Sequence, residues 1–187
     1  MDFKVDFESG RLLPARLSLS PHCDFRPVES SIDLLVIHNI SLPPGIFGKS
    51  YIEDLFLGRL SIAEHPYFEH IATAKVSAHL LIRRDGEVIQ FVPFNQRAWH
   101  AGQSSFHGRS ACNDFSIGIE LEGTDDLDFE AIQYQQLADI TRHLMQVYPK
   151  ITPETIVGHS DIAPGRKTDP GPHFDWARYY GLIGISK

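Results

Sequence analysis

A short apolar run, Leu34-Leu35-Val36-Ile37-His38-Asn39-Ile40, becomes polar at His38 and Asn39. Apolar residues occupy both alternating sets of positions, which is typical of a strand that is buried on both faces of a sheet. We therefore predict a central strand that ends where His38 meets a polar loop.

Strand patterns recur downstream of this run. Residues 76–82 and 88–93 are rich in β-forming residues and flank Asp85-Gly86, a dipeptide that favours the tight turn of a hairpin. Residues 115–122 and 155–158 predict two further strands. Ser41 to residue 75 forms a long excursion before the hairpin, and loops of that length tend to line binding sites.

Residues 129–148 carry the clearest helical spacing of apolar side chains, with Asp128 as the predicted N-cap and Pro149 as the stop. Weaker helical patterns cover residues 51–60 and 176–183. Strands interspersed with helices predict the α/β class, as a single domain with a central mixed β-sheet flanked by helices.

The first 30 residues show no clear periodicity and contain Pro14, Pro21 and Pro27. We therefore predict an irregular N-terminal wrap over residues 1–30 and one main domain over residues 31–187. The 187 residues are enough for one domain with a substantial core.

Charge and composition narrow the possible partners. The formal net charge of -7 disfavours nucleic acid and anionic membranes. The N-terminus lacks the basic and apolar regions of a secretory signal, and no apolar run approaches the roughly 18 residues of a spanning helix. With only Cys23 and Cys112, a disulfide framework is not expected. These features predict a cytoplasmic protein without a membrane partner.

The segment from residue 158 to 171 contains His159, Lys167 and Asp169 among prolines and glycines. Together with His38, it offers two imidazoles and one carboxylate, which are ligands that suit zinc. Three protein ligands leave a fourth position for water, and zinc lowers the pKa of such a water to about 7. We hypothesise a zinc hydrolase, although the ten-residue spacing of His159 and Asp169 is a weak signal by itself.

Other histidines compete for these positions, because the chain contains ten of them. His79 lies inside a predicted strand, where packing in the core explains it slightly better than metal binding. His100, in Trp99-His100-Ala101-Gly102, is well placed to line a cleft.

Amide cleavage also needs an acid/base group and a cation for the oxyanion. Glu120 and Glu122 have the same parity in the predicted strand, so they share one face of the sheet and the pattern does not choose between them. Lys167 could stabilise the oxyanion, and simple solvent exposure explains it equally well.

Five motifs occur in order between residues 21 and 176. They are Leu35-Val36-Ile37-His38-Asn39-Ile40-Ser41-Leu42-Pro43-Pro44-Gly45, Val76-Ser77-Ala78-His79 with Arg83-Arg84-Asp85-Gly86, Arg97-Ala98-Trp99-His100-Ala101-Gly102, Cys112-Asn113-Asp114-Phe115-Ser116-Ile117-Gly118-Ile119-Glu120-Leu121-Glu122-Gly123-Thr124-Asp125, and Lys167-Thr168-Asp169-Pro170-Gly171. In these residues the chain resembles the cytoplasmic 1,6-anhydro-N-acetylmuramyl-L-alanine amidases called AmpD, of the amidase-2, phage-lysozyme and peptidoglycan-recognition-protein group.

The resemblance implies a zinc amidase (amidase-2) fold over residues 31–187. It also implies hydrolysis of the bond between (1,6-anhydro-)N-acetylmuramic acid and L-alanine in muropeptides during cell-wall recycling, by a monomer. In this family the Zn²⁺ ligands match His38, His159 and Asp169. The acid/base carboxylate matches Glu120, and the oxyanion-stabilising cation matches Lys167. The substrate contacts carried over are Asn39, Lys75, Ala98 and Trp99.

The chain departs from its relatives at two positions near the site. Phage-type relatives carry a tyrosine at the position of Ala78, so we expect Glu120 to carry proton transfer alone. Some AmpD sequences have an arginine at the position of Ala111, and Arg109 is the candidate to replace it as a substrate contact.

Three other functions compete with muropeptide recycling. One is an amidase of intact cell wall, of the periplasmic or phage type. Another is a peptidoglycan-binding module without catalysis, although such modules typically lose a zinc ligand. The last is a structural zinc domain, which would need a fourth protein ligand such as His79.

Overall fold

The computed structural model describes residues 3–185, and twelve strands occur among them. They are β1 (Lys4–Asp6), β2 (Arg11–Leu13), β3 (Arg16–Leu17), β4 (Cys23–Phe25), β5 (Leu34–Ile40), β6 (Leu80–Ile82), β7 (Val88–Gln90), β8 (Gln96–Ala98), β9 (Ser105–Phe106), β10 (Arg109–Ser110), β11 (Ser116–Glu122) and β12 (Ile156–Gly158). The α-helices are α1 (Tyr51–Phe56), α2 (Ala131–Val147), α3 (His159–Ile162) and α4 (Trp176–Leu182). Short 3-10 helices span Pro66–His70, Cys112–Asp114 and Pro153–Thr155.

Six strands form the central sheet in the order β12-β5-β11-β6-β7-β3. Strand β5 pairs in parallel with β12 on one side and with β11 on the other, whereas β6 and β7 are antiparallel. The predicted α/β class with a central mixed sheet flanked by helices is therefore confirmed. The predicted buried strand is β5, which occupies the second position of the sheet.

The two faces of the sheet bury different sets of side chains. Leu35 and Ile37 of β5 lie in one hydrophobic cluster with Leu137 and Ile140 of α2. Leu34 and Val36 point to the opposite face, where they pack with other residues, Ile162 among them. Since side chains alternate along a strand, His38 shares the face of Leu34 and Val36, away from α2.

The N-terminal prediction of irregular structure is wrong, because residues 4–25 contain four short strands. Strand β3 pairs in parallel with β7 and extends the central sheet, and β4 pairs with β8. Strands of two or three residues are too short to show a periodic pattern. Strands β1 and β2 pair with each other, whereas the partners of β3 and β4 lie some 70 residues away in the chain.

The start of α2 also differs from its predicted position. The helix begins at Ala131, and Glu130 is its N-cap. The Gln133 side chain accepts a hydrogen bond from the Glu130 N–H (3.0 Å), whereas Asp128 pairs with His173 (2.8 Å). Asp128 resembles an N-cap in the sequence, but its carboxylate is engaged by a residue that is distant in the chain.

Both cysteines are free, as expected, with Cys112 buried and Cys23 partly buried. None of the helices within residues 3–185 combines the length and the apolar character needed to cross a lipid bilayer.

The packing of β11 yields a test with two glycines. A Cβ added to Gly118 would lie 2.4 Å from the ring of His100, whereas a Cβ added to Gly181 in α4 meets nothing within 4 Å. We expect Gly118→Ala to lower the free energy of unfolding by about 1–3 kcal/mol through overpacking. Gly181→Ala, its matched control, should raise it by about 0.5–1 kcal/mol, because alanine is the better helix former. Urea unfolding of both variants measures the difference, and equal effects would contradict this packing.

Candidate active site

Three side chains converge at the carboxyl ends of the parallel strands. His38 lies on β5, and His159 directly follows β12, whose Gly158 is in register with Ile37. The Nδ1 atoms of His38 and His159 are 3.0 Å apart, and each is 3.0 Å from Oδ2 of Asp169. The structure thus brings together the three residues that the sequence offered as metal ligands.

Backbone hydrogen bonds hold the segment that carries Asp169. The carbonyl oxygen of Asp169 accepts a hydrogen bond from the backbone N–H of Ser160 (3.0 Å). The Asn39 amide donates to the carbonyl oxygen of Pro170 (3.0 Å) and to Oδ1 of Asp125 (2.6 Å). The carboxylate of Asp169 is therefore held beside the two histidines by contacts of its own carbonyl group and of the next one.

The charge states of these side chains favour the binding of a cation. Burial lowers the pKa of His38 to about 4, against the opposing hydrogen bond with Asp169. Burial would by itself raise the pKa of Asp169, but hydrogen bonds with His159 and His38 outweigh it, and the pKa lies below its usual value. At neutral pH, His38 is therefore neutral and Asp169 is ionised, which are the states that bind metals.

A divalent cation fits these three atoms better than a proton does. Two imidazole nitrogens and one carboxylate oxygen lie 3.0 Å from one another. A single proton on Nδ1 of His38 could form hydrogen bonds only with Nδ1 of His159 and Oδ2 of Asp169. These two atoms would then face each other with lone pairs and no hydrogen between them. A set of two nitrogens and one oxygen is a known donor set for catalytic zinc.

Glu120 lies beside the cluster, since it is in register with His38 across the β5–β11 pair. Its side chain is buried, and Oε2 has no hydrogen-bond partner. Burial raises the pKa of this carboxyl group well above its usual value, the charge of Asp169 adds to the effect, and Lys167 opposes it. Glu120 therefore has a free oxygen and a strong tendency to hold a proton.

Glu122 shares the sheet face of Glu120 but serves another purpose. Its Oε1 accepts from the Gly48 N–H (2.6 Å) and its Oε2 from the Arg84 N–H (3.2 Å). Both oxygens of Glu122 are thus occupied by loop backbone, whereas Oε2 of Glu120 lacks a hydrogen-bond partner.

A cavity of about 200 Å³ surrounds the cluster. Its walls come from β5, β11, α1, α3 and several loops. They consist of His38, Asn39, Ile40, Phe56, Val76, Ser77, Trp99, His100, Glu120, His159, Lys167 and Asp169. Asn39, Ile40, Lys167 and Asp169 also line an adjoining groove of about 690 Å³. The cavity and the larger groove therefore meet at these shared residues, among which Lys167 is exposed.

Comparisons with known proteins agree with this geometry. The sequence model of the family described as N-acetylmuramoyl-L-alanine amidase matches residues 28–172. The 1,6-anhydro-N-acetylmuramyl-L-alanine amidase AmpD of Escherichia coli is 58% identical over 176 residues, which cover 94% of this chain and 96% of that protein.

The chain belongs to the N-acetylmuramoyl-L-alanine amidase family. It is therefore an amidase.

Two solved structures extend the comparison. A crystal structure of a selenomethionine derivative of AmpD has a TM-score of 0.91 at 58% identity, and covers 94% of this chain and 97% of that one. The E. coli amidase AmiD, in complex with the substrate anhydro-N-acetylmuramic acid-L-Ala-D-gamma-Glu-L-Lys, has a TM-score of 0.61 at 29% identity. That alignment covers 100% of this chain and 67% of AmiD.

The substrate contacts expected for this amidase do not all reach the cavity. Asn39 and Trp99 line it. The side chain of Ala98 is fully buried in β8, and Lys75 is exposed beside the cavity residue Val76.

Arg109 is not one of the described residues that line the cavity or the adjoining groove. Its guanidinium pairs with both carboxylate oxygens of Asp33 (2.9 and 2.8 Å) and stacks on Phe115, 3.8 Å from the ring centroid. The structure therefore does not bring Arg109 to the cluster.

The sequence pattern did not predict a role for the residues that hold Trp99 in place. Asp24 accepts a hydrogen bond from Trp99 Nε1 (3.1 Å) and also pairs with Arg97. The His22 ring stacks on Trp99 at a centroid distance of 6.2 Å. Asp24 and His22 lie in the N-terminal region for which no strand was predicted, so the sequence carried no signal that they would face residue 99.

His79 is not a fourth ligand. Its Nδ1 accepts from the Gly118 N–H (3.0 Å), and its Nε2 lies 3.2 Å from the carbonyl oxygen of Gln96. Within the described part of the chain, the potential metal-binding group consists of His38, His159 and Asp169 alone. A closed structural site with four protein ligands is therefore disfavoured.

The buried carboxyl of Glu120 predicts a dependence of stability on pH. Once a chelator has removed any metal, the raised pKa of Glu120 stabilises the folded protein at pH values below 4.5, the pKa of this group in the unfolded chain. This stabilisation is lost as the pH rises through the pKa of Glu120 in the folded protein. Glu120→Gln removes this loss, so the variant should become more stable than the parent as the pH rises from about 4 to 8. Each unit of pKa difference corresponds to about 1.4 kcal/mol.

Urea unfolding across this pH range measures the effect. The exposed Glu29→Gln serves as the control and should show no such trend. A stability difference between Glu120→Gln and the parent that does not change with pH would show that Glu120 is not a buried acid.

Proposed function

We propose that this amidase hydrolyses the bond between (1,6-anhydro-)N-acetylmuramic acid and L-alanine in soluble muropeptides during cell-wall recycling, with Zn²⁺ as its cofactor. The observation that carries the proposal is the convergence of His38, His159 and Asp169 within 3.0 Å, in a cavity that Glu120 also lines. The 58% identity to an enzyme named for this activity supports the choice of substrate.

His38, His159 and Asp169 would hold the zinc ion. When bound, zinc lowers the pKa of a water at its open position to about 7 and so supplies a nucleophile near neutral pH. The protein's share is to keep His38 neutral and the carboxylate of Asp169 ionised, as the pKa shifts of these two groups favour.

Glu120 is proposed to move the proton. It accepts a proton from the attacking water and delivers it to the nitrogen of L-alanine as that amine leaves. Burial raises the pKa of Glu120 while a nearby dication lowers it, and these opposing effects suit a group that must both take and give a proton. Alanine at position 78 leaves Glu120 without a tyrosine partner there.

Lys167 is proposed to stabilise the oxyanion. It lines both the cavity and the groove, and its charge acts on Glu120 and His38. A cation at this rim faces the carbonyl oxygen of a substrate that enters from the groove. Negative charge develops on that oxygen in the tetrahedral state.

Substrate binding is assigned to the cavity and the groove together. The cavity of about 200 Å³ is too small for a whole muropeptide, so most of it must lie in the groove of about 690 Å³. Asn39 presents Oδ1, since its amide nitrogen is engaged, and Trp99 presents an aromatic face. Lys75, Ala98 and Arg109 stay predictions as substrate contacts, as do the cytoplasmic location and the monomeric state.

Separate substitutions test the metal ligands and the cation. Asp169→Ala should lose zinc, because two neutral imidazoles remain as the only protein ligands. Lys167→Ala should keep zinc but lower kcat about 10²–10³-fold, the usual cost of one oxyanion donor. Metal analysis and peptide release from anhydromuramyl-tripeptide measure both effects.

Lys150→Ala is the matched control, because Lys150 contacts Ser31, outside the residues that line the cavity and groove. It should keep full zinc and full rate. The assignments would be wrong if Asp169→Ala and Lys167→Ala both retained parental zinc content and turnover.

A comparison of a soluble substrate with intact cell wall distinguishes a muropeptide-recycling amidase from a cell-wall amidase. We expect peptide release from soluble anhydromuramyl-tripeptide to exceed release from purified sacculi by at least about tenfold, because the cluster lies in a cavity rather than on an open face. Faster hydrolysis of sacculi would favour a wall amidase. Binding without turnover, unchanged in Glu120→Ala, would favour a recognition module.

A further inference from the structure

The outer nitrogens of both histidine ligands meet two consecutive residues of one loop. Nε2 of His38 lies 2.9 Å from Nδ1 of His100. Nε2 of His159 lies 3.1 Å from the carbonyl oxygen of Ala101. Residues 100 and 101 therefore contact the far side of each imidazole that faces the metal position.

This pair of residues is itself held firmly. Oδ1 of Asn113 accepts hydrogen bonds from the backbone N–H of His100 (3.1 Å) and of Ala101 (2.8 Å). Arg166 donates to the same Ala101 carbonyl oxygen (2.6 Å). The His100 ring lies so close to Gly118 that an added Cβ would be 2.4 Å away. The loop therefore has little freedom to move away from the histidines.

The contact with Ala101 fixes the tautomer of His159 without ambiguity. A carbonyl oxygen can only accept, so Nε2 of His159 must carry the hydrogen and donate it. In the neutral ring, Nδ1 then presents its lone pair to His38 and Asp169. A metal ion could bind there at once.

The contact with His100 leaves two tautomers for His38. If Nε2 of His38 carries the hydrogen, it donates to Nδ1 of His100, and Nε2–H of His100 then donates to Oγ of Ser116, 3.0 Å away. In the opposite polarity, Ser116 donates to His100 and His100 donates to His38. Nδ1 of His38 then carries a hydrogen that points at the metal position and blocks it.

We propose that His100 is a positioning residue that holds His38 in the tautomer able to bind the metal, with Ser116 as the acceptor at the end of the relay. His100 lines the cavity, but it meets His38 at Nε2, on the side of the ring away from the metal position. The inference rests on the proposed function only for the identity of the metal. Partners of this kind typically contribute 10–100-fold to metal affinity.

The surroundings of His100 hold its ring in place behind His38. The ring packs edge-on against His38 (5.0 Å between centroids) and His79 (5.7 Å). In the neutral ring, Nδ1 can accept the hydrogen of His38 Nε2 while Nε2–H donates to Ser116.

Four variants of the full chain test the proposal. His100→Leu removes the acceptor, and we expect it to weaken zinc binding 10–100-fold in a chelator competition. His100→Asn should recover most of this loss, because its Oδ1 can replace Nδ1 as the acceptor. Ser116→Ala should weaken zinc binding less, in the same direction, and His143→Gln on α2 should bind zinc like the parent.

A second measurement reads the tautomer directly. In ¹⁵N spectra of the chelator-treated, zinc-free parent, the hydrogen of His38 should be on Nε2. His100→Leu should broaden or shift that signal, and His100→Asn should restore it. A loss of packing alone would not be restored by asparagine, which is smaller than histidine and polar.

Three results would overturn the proposal. They are a hydrogen on Nδ1 of His38 in the zinc-free parent, parental zinc affinity in His100→Leu, and equal losses in folded His100→Leu and His100→Asn. If His100→Leu does not fold, the His100→Asn and Ser116→Ala variants test the proposal instead. Parental zinc affinity and an unchanged His38 signal in Ser116→Ala would then count against the relay. A protein that binds zinc through this relay but releases no peptide would refute the proposed function alone.

Discussion

The parallel pairing of β5 with β11 and β12 is the constraint on which the rest of the site depends. It sets Glu120 opposite His38 and ends β12 one residue before His159. Parallel strands end at the same edge of a sheet, so residues more than 80 positions apart arrive at one place. The contacts of 3.0 Å among the three ligand atoms follow from this register. A slip of one residue in β5 would turn His38 into the opposite core.

The two faces of the sheet have separate tasks. The face against α2 buries the most populated apolar cluster among the described residues, and burial of apolar surface stabilises the fold. The other face carries polar groups that are costly to bury, among them Glu120 with its unpartnered oxygen. Because each strand alternates, one strand can support both faces. Functional groups with shifted pKa values are thus held in a site whose stability comes from elsewhere.

Long, periodic elements were predictable from local sequence, and short ones were not. The buried runs of β5 and β11, the β6–β7 hairpin and helix α2 each carry enough residues to show a period. The strands between residues 4 and 25 carry two or three residues each, and two of them, β3 and β4, pair with strands that are distant in the chain. The cap of α2 moved from Asp128 to Glu130 for a similar reason, since Asp128 is engaged by His173.

The sequence by itself determined which chemistry is present. Its residue types and motifs named the candidate ligands, the acid/base glutamate and the lysine, and they indicated the family. Only the tertiary structure decided which of these groups meet. It separated Glu120 from Glu122, paired Arg109 with Asp33, and placed His100 behind His38. The physical reason is that periodicity specifies the face of a strand on which a side chain lies, whereas hydrogen-bond partners depend on distances between elements that are remote in the chain.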